Sequence, residues 1–296
     1  MSGELRRDPI SGRIVVVAPG RAGRPGAARP ALEPPSEDEL ASCPFCEGRE
    51  DRTPPETFAV ADDAARAPDT PGWRTRVVPN LYPALERQEV VIHSPRHVRS
   101  LSELDERALA AIAGAWRARA EAARAEGFPY VHALLNEGRE AGASLPHSHS
   151  QLAWLRDTPP EPAAERTDSP CGVCAVIARE RADGTRILAE RDGLLLCAPW
   201  AGRVPYELLV VPAEHETGGL ASERLPAALE LLAWAIRRLH AVEGACPLNA
   251  WPHDKGHWHF EVVPRIAVLA GVELGAGIYV NALPPEAAAA ALRGEA

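Results

Sequence analysis

One run of landmarks occurs twice in this chain, and the repetition limits the fold more than any other feature. The first run is Cys43-Pro44-Phe45-Cys46, a strand-like segment at 88–95, His97, a long helical segment at 102–126, a strand-like segment at 129–137, and Pro146-His147-Ser148-His149-Ser150-Gln151. The second is Cys171-Gly172-Val173-Cys174, a strand-like segment at 206–212, His215, a helical segment at about 226–242, and Gly256-His257-Trp258-His259-Phe260-Glu261. In both, a histidine follows shortly after the proline that closes a strand, Pro95 with His97 and Pro212 with His215. The spacing between copies is about 120 residues, the size of a whole fold unit and far longer than a solenoid repeat. The chain therefore reads as an internal duplication.

Each unit mixes both kinds of element. Leu109, Ile112 and Trp116 recur at helical spacing behind the capping-box-like Ser102-Glu103-Leu104-Asp105. Leu229, Leu232, Ile236 and Leu239 form the second apolar stripe, with Pro226 in its first turn. Short Val/Ile/Leu runs next to these helices predict an α+β fold with a mainly antiparallel sheet. Pro-rich stretches at 21–41 and 156–170 read as linkers. The expected division is 1–155, a linker at 156–170, and 171–296.

Composition removes some classes. The 296 residues carry a formal net charge of −9, with 46% hydrophobic and 25% charged residues. A chain this acidic is a poor partner for nucleic acid or an anionic membrane, so any phosphate is held by a local site. No apolar run reaches the roughly 20 residues of a membrane span. The opening segment lacks a signal-peptide core, so a cytoplasmic chain is expected. Without export, paired C-x-x-C followed by histidines points to metal and not to disulfides. Cys197 and Cys246, each alone in apolar surroundings, read as buried structural residues.

Two ligand sets follow, Cys43/Cys46/His97/His147 and Cys171/Cys174/His215/His257. Two thiolates and two imidazoles are the tetrahedral set that zinc prefers, and four protein ligands leave no position for water. Both sites are expected to be structural. His93, His132, His240 and His253 are left over; His253 stands out by its nearness to His257. The chemical centre is expected at Gly142-Ala143-Ser144-Leu145-Pro146-His147-Ser148-His149-Ser150-Gln151. On a strand His147, His149 and Gln151 share one side. With His147 on metal, His149 sits beside it with an imidazole free to attack phosphorus. Gln151 can donate a hydrogen bond to a phosphoryl oxygen but cannot carry a proton.

The H-x-H-x-Q motif beside a Cys/Cys/His set resembles the galactose-1-phosphate uridylyltransferase family, a branch of the histidine-triad superfamily. The likeness extends over RRDPISGRIVVVAPGRAGRP (6–25), VVPNLYPAL (77–85) and LLNEGREAGASLPHSHSQ (134–151). It implies a tandem duplication of a histidine-triad-like unit, with His149 as the nucleophile. It places Arg24 and Asn80 at the nucleotide, and Asn136, Ser144 and Gln151 at the phosphate. In the 270–293 segment it keeps Glu273 and puts Tyr279 where the family has a hexose-binding glutamine. That ending, with two Cys/Cys/His/His sets, is similar to the ADP-glucose phosphorylase-like branch. The second copy resembles a degenerate one, with Glu261 at the glutamine position.

The resemblance implies a double displacement: His149 takes a nucleotidyl group from a nucleoside diphosphate sugar and passes it to a second phosphate-bearing acceptor. The first reading is UDP-glucose:hexose-1-phosphate (galactose-1-phosphate) uridylyl transfer. The alternative is ADP-glucose phosphorolysis with inorganic phosphate. A catalytically inactive zinc-dependent binding module is a third reading, opposed by the joint presence of His149, Gln151, Ser144, Asn136 and Asn80. A dinucleotide hydrolase would carry histidine at position 151. The family likeness also implies a homodimer.

Overall fold

Short β-branched runs bounded by Gly, Pro and Asp become strands here. The computed structural model describes residues 3–21 and 33–295. The first half contributes β1 (Glu4–Arg7), β2 (Ile14–Val17), α1 (Glu37–Ser42), β3 (Phe58–Ala61), β4 (Trp73–Pro79), β5 (Arg87–Ile92), α2 (Glu106–Ala125), β6 (Tyr130–Glu137) and β7 (His149–Leu155). Then come α3 (Pro160–Ala164), α4 (Gly172–Asp183), β8 (Ile187–Arg191), β9 (Leu194–Cys197), β10 (Leu208–Pro212), α5 (Leu225–Glu243), β11 (Leu248–His253) and β12 (His259–Pro264). The remaining elements are α6 (Gly271–Ala276), β13 (Ile278–Asn281) and α7 (Pro285–Arg293).

Ten strands form one sheet in the order β3-β4-β5-β7-β6-β11-β12-β10-β9-β8. The duplication is visible in that order. Each half runs three strands inward, crosses by a long helix, and returns through two more, so the halves mirror each other about the β6–β11 pair. The small second sheet joins both ends of the described chain, as β1-β2-β13. Its β2–β13 pairing is parallel, while every pairing in the large sheet is antiparallel.

The long helices α2 and α5 cover one face of the large sheet. The core between them takes Leu109, Ile112 and Trp116 from α2 and Leu229, Leu232 and Ile236 from α5. It receives Leu152 and Trp154 from β7, Leu248 and Ala250 from β11, and Phe260 and Val262 from β12. Strand side chains alternate, so His149, Gln151, Asn249, Trp251, His259 and Glu261 belong to the opposite face. At the two ends of that face lie smaller apolar clusters. Phe45, Trp73, Val90 and Ile92 pack at one end, and Val173, Val176, Leu195 and Leu209 at the other.

Two local expectations are revised. The helix start read at Ser102 is two separate structures. Ser100 and Glu103 form a capping box on a short 3-10 turn, and Asp105 then caps α2 by accepting from the Ala108 amide at 2.9 Å. Inside the stretch read as a linker at 156–170, α3 forms and Glu165 is buried.

Candidate active site and metal centres

The four side chains of each C-x-x-C/His set meet. In both sets the ligand atoms lie within 4.8 Å of one another. Cys43 follows directly on α1; its Sγ is 3.3 Å from His147 Nδ1, and Cys46 Sγ is 3.5 Å from His97 Nδ1. The outer nitrogens are already engaged: His147 Nε2 donates to the Ser94 carbonyl at 2.9 Å and His97 Nε2 to Glu39 at 2.8 Å. Each ring therefore presents the Nδ1 lone pair inward, the tautomer that metal ligation requires. Burial holds His147 down to about 4, so the ring is uncharged. Burial and the neighbouring Cys43 push the Cys46 thiol up to about 11, and a cation placed beside the sulfur would draw its thiolate out.

The second set repeats this arrangement. Cys171 caps α4, its Sγ 3.6 Å from His257 Nδ1, and Cys174 Sγ lies 3.6 Å from His215 Nδ1. His257 Nε2 donates to the Pro212 carbonyl at 3.0 Å, the counterpart of the His147–Ser94 bond. Two soft thiolates and two oriented imidazoles fit a divalent, zinc-like ion in each set.

His149 begins β7 two residues after a ligand of the first set. Its Nδ1 donates to the carbonyl of His147 at 2.8 Å, and the edge of Phe45 packs on the ring at 5.4 Å between centroids. Nδ1 thus keeps its proton and Nε2 keeps its lone pair. Burial lowers the basicity of the ring, partly offset by that carbonyl. Beneath it, on the helix side, lies a fully buried chain. Trp116 Nε1 donates to Ser150 Oγ at 3.0 Å, and the two nitrogens of His93 each lie 2.9 Å from a hydroxyl, Ser148 Oγ and Ser150 Oγ.

The amides around His149 are also fixed. Gln151 Oε1 accepts from Gln88 Nε2 at 2.6 Å and from Asn80 Nδ2 at 3.3 Å, which leaves the Gln151 NH₂ to donate elsewhere. Asn136 Oδ1 accepts from Asn249 Nδ2 at 2.7 Å, and the same Asn249 amide holds the Ala141 carbonyl at 2.8 Å. The turn after β6 is compact because Gly138 and Gly142 adopt φ of +82° and +93°. At Gly138 a Cβ would lie 2.9 Å from Pro247 Cβ. Ser144 is exposed on the loop between that turn and His147.

Not every expected residue joins this group. Arg24 lies outside the described residues. Glu273 caps α6, accepting from the Ala270 amide at 2.9 Å, and lines a separate cavity of about 810 Å³ with Arg21, Tyr206 and Glu243. Tyr279 lies on β13 opposite Val15 and packs against the small cluster of Val15, Val17 and Ala201. The structure sets these two against the small sheet and does not bring them to His149.

Other contributors carry no signal in the sequence. Gln88 and Asn249 matter only through strand register, and Glu165 only through the path of the linker. Glu165, His253, His259 and Glu261 form a third buried group close enough to share an ion. Its carboxylates already have partners. Arg13 and Arg203 pair with Glu261 at 3.1 and 2.7 Å, and His253 donates to Glu165 at 2.7 Å.

Comparison with known proteins agrees with this geometry. Residues 82–160 match the family described as galactose-1-phosphate uridyl transferase, N-terminal domain. An ADP-glucose phosphorylase of Arabidopsis thaliana is 29% identical over 99% of this chain and 93% of its own length. A crystal structure of an ADP-glucose phosphorylase from that plant, with bound ADP-glucose, superposes with a TM-score of 0.83 and covers 99% and 98% of the two chains. A galactose-1-phosphate uridylyltransferase of Thermotoga maritima is 24% identical over 98% of both chains. The chain is thus similar over its whole length to an ADP-glucose phosphorylase and to a galactose-1-phosphate uridylyltransferase. The family match spans β6, the Gly138–Gly142 turn and all of β7, the segment that builds the His149 site.

Proposed function

We propose that this chain is a nucleotidyltransferase that moves a nucleotidyl group from a nucleoside diphosphate hexose to a phosphate-bearing acceptor through His149. The observation that carries the reading is the His149 tautomer, with Nδ1 fixed on the His147 carbonyl and Nε2 left as a nucleophile. The Nε2 lone pair forms a P–N bond to the α-phosphorus. The P–O bond to the β-phosphate breaks, and its electron pair leaves with hexose 1-phosphate. The imidazolium so formed keeps its Nδ1 proton on the carbonyl. A phosphate oxygen of the acceptor then attacks the same phosphorus and returns the pair to Nε2. The free NH₂ groups of Gln151 and Asn136 donate to the phosphoryl oxygens as charge builds. Glutamine at 151 cannot take a proton from an attacking water, which favours an intermediate that waits for its acceptor.

The first reading is uridylyl transfer between UDP-glucose and galactose 1-phosphate. A second, adenylyl transfer from ADP-glucose to inorganic phosphate, is favoured by the 29% identity over 99% of the chain to the Arabidopsis enzyme named for it. Zinc in both Cys/His sets would support folding with no open coordination position, and no chemical step passes through it. The exposed Val268, Val272 and Leu274 beside Glu273 support a homodimer that covers them. Among the described residues no helix is long and apolar enough to cross a membrane; the cytoplasmic reading rests on the sequence. The halves 1–155 and 171–296 are read as the two duplicated units, joined by 156–170.

Intact-mass measurement after brief incubation with UDP-glucose, and separately with ADP-glucose, tests the reading. The expected result is a gain of one uridylyl or one adenylyl group, which also selects the base. His149→Ala abolishes the gain and leaves metal content unchanged. A parent protein that gains neither group, or a His149→Ala variant that still does, overturns it.

A further inference from the structure

The sheet face that carries His149 continues across the β6–β11 junction and meets an aromatic ring. Gln151 pairs with Leu134, and Asn136 pairs with Asn249. Residues two apart on a strand share a face, so Trp251 lies on the face of His149, Gln151 and Asn136. Trp251 is half-buried. Its indole N–H donates to His253 Nε2 at 2.8 Å; an indole nitrogen only donates, so His253 accepts there and gives its Nδ1 proton to Glu165 at 2.7 Å. The Arg203 guanidinium stands 6.0 Å from the ring centroid. A buried His–Glu pair and a cation therefore hold the ring at a fixed orientation.

The order of groups across the sheet matches the order of parts in the donor. Asn80 and Gln88 stand at β4 and β5, His149 and Gln151 on β7, Asn136 on β6, and Trp251 on β11. A nucleoside diphosphate hexose runs from nucleoside through two phosphates to a sugar ring. With the nucleoside toward Asn80 and the phosphates over Gln151, the sugar falls over β6 and β11. Two strand spacings separate β7 from β11, about 10 Å, close to the reach from the α-phosphorus to the far edge of a pyranose. We propose that Trp251 determines specificity for the sugar, its indole face stacking on the hexose ring of the donor. The C–H face of a pyranose is apolar enough to lie on an indole, while its hydroxyls reach the Asn136 amide. His253 and Glu165 act as positioning residues behind the ring. The inference rests on nucleotidyl transfer through His149.

The test compares two donors for the nucleotide that labels the parent protein: the nucleoside diphosphate glucose, and the same nucleoside diphosphate as its β-methyl ester, which lacks the sugar. The initial rate of nucleotidyl gain at subsaturating donor is read for the parent, Trp251→Phe and Trp251→Ala. Trp251→Ala is expected to slow labelling by the glucose donor about tenfold, the scale of one lost stacking contact, and to leave the methyl donor unchanged. Trp251→Phe should keep most of the parent rate with both. The ratio of the two rates is internal to each variant, so a partly unfolded preparation does not mimic the result. An unchanged ratio in Trp251→Ala, whether both rates fall or neither does, overturns the proposal and leaves the transferase reading standing. A parent protein that labels with neither glucose donor removes both.

Discussion

Gln88 reaches from β5 to β7 and donates its side-chain amide to the Gln151 carbonyl oxygen at 2.6 Å, beside the second donor Asn80 at 3.3 Å. In the proposed function those two bonds decide which end of the Gln151 amide faces the phosphate. Gln88→Leu removes the stronger one and lets the amide turn its oxygen toward a negative charge. The expected outcome is a fall in kcat of about tenfold with little change in donor KM, against a fall of about a hundredfold for Gln151→Leu, where the donor itself is gone. Steady-state rates over a donor series check both values. A Gln88→Leu enzyme with parental kcat would show that Asn80 alone sets the amide.

His93 ties the two serines that flank His149 to each other and, through Ser150, to Trp116. Burial keeps His93 well below the usual imidazole range, so it remains a neutral bridge. His93→Phe fills the space but leaves two buried hydroxyls without this partner, which costs about 2 kcal/mol. Chemical denaturation should show that loss. The labelling rate of His149 should fall with it, because β7 loses one of the ties that set its pleat. His93→Gln, which can both donate and accept, should recover part of each.

The duplication, the clustering of the two Cys/His sets and the His149 segment were legible because each is written locally: C-x-x-C, Pro with a nearby His, and H-x-H-x-Q are short patterns with fixed geometry. The helices were legible from period alone, although Ser100 and Asp105 split the start that Ser102 suggested. Gln88 and Asn249 were not legible, since nothing near either residue says that β5 lies against β7 or β6 against β11. Glu165 was hidden for a similar reason, inside a Pro-rich stretch whose composition predicts only a linker. Glu273 and Tyr279 are the opposite case. A family pattern marked them, but the fold of one chain places them against the small sheet.

The proposal of zinc in both Cys/His sets makes metal content a direct readout. Metal analysis of the parent protein should find about two zinc ions per chain. Cys171→Ser should lose about one and retain His149 labelling, because its set lies in the other half of the sheet. Cys43→Ser should lose about one and also slow labelling, since His147 both ligates and holds His149 Nδ1 on its carbonyl. A chelator should lower the melting temperature of the parent more than that of either variant. One zinc in the parent protein would show that the second set is only a cysteine–histidine cluster.

Glu137 gives a prediction in pH. Its carboxyl is fully enclosed at the end of β6, accepting from the Leu101 amide at 2.6 Å and from Ser100 Oγ at 2.8 Å. Burial pushes it up to about 7 from the ordinary 4.5, the two hydrogen bonds opposing. The folded chain therefore holds a proton that the unfolded chain releases between those values. The stability due to this group is fully present below about pH 4.5 and is lost as pH rises through about 7, a span of about 3 kcal/mol. Glu137→Gln keeps an oxygen for the Leu101 amide, presents an NH₂ that can donate to Ser100 Oγ, and has no proton to lose. Denaturation midpoints of parent and variant should converge near pH 4.5 and separate by pH 8, with the variant the more stable. A constant difference across that range would mean that Glu137 ionises at its ordinary value and that Ser100 and Leu101 outweigh its burial.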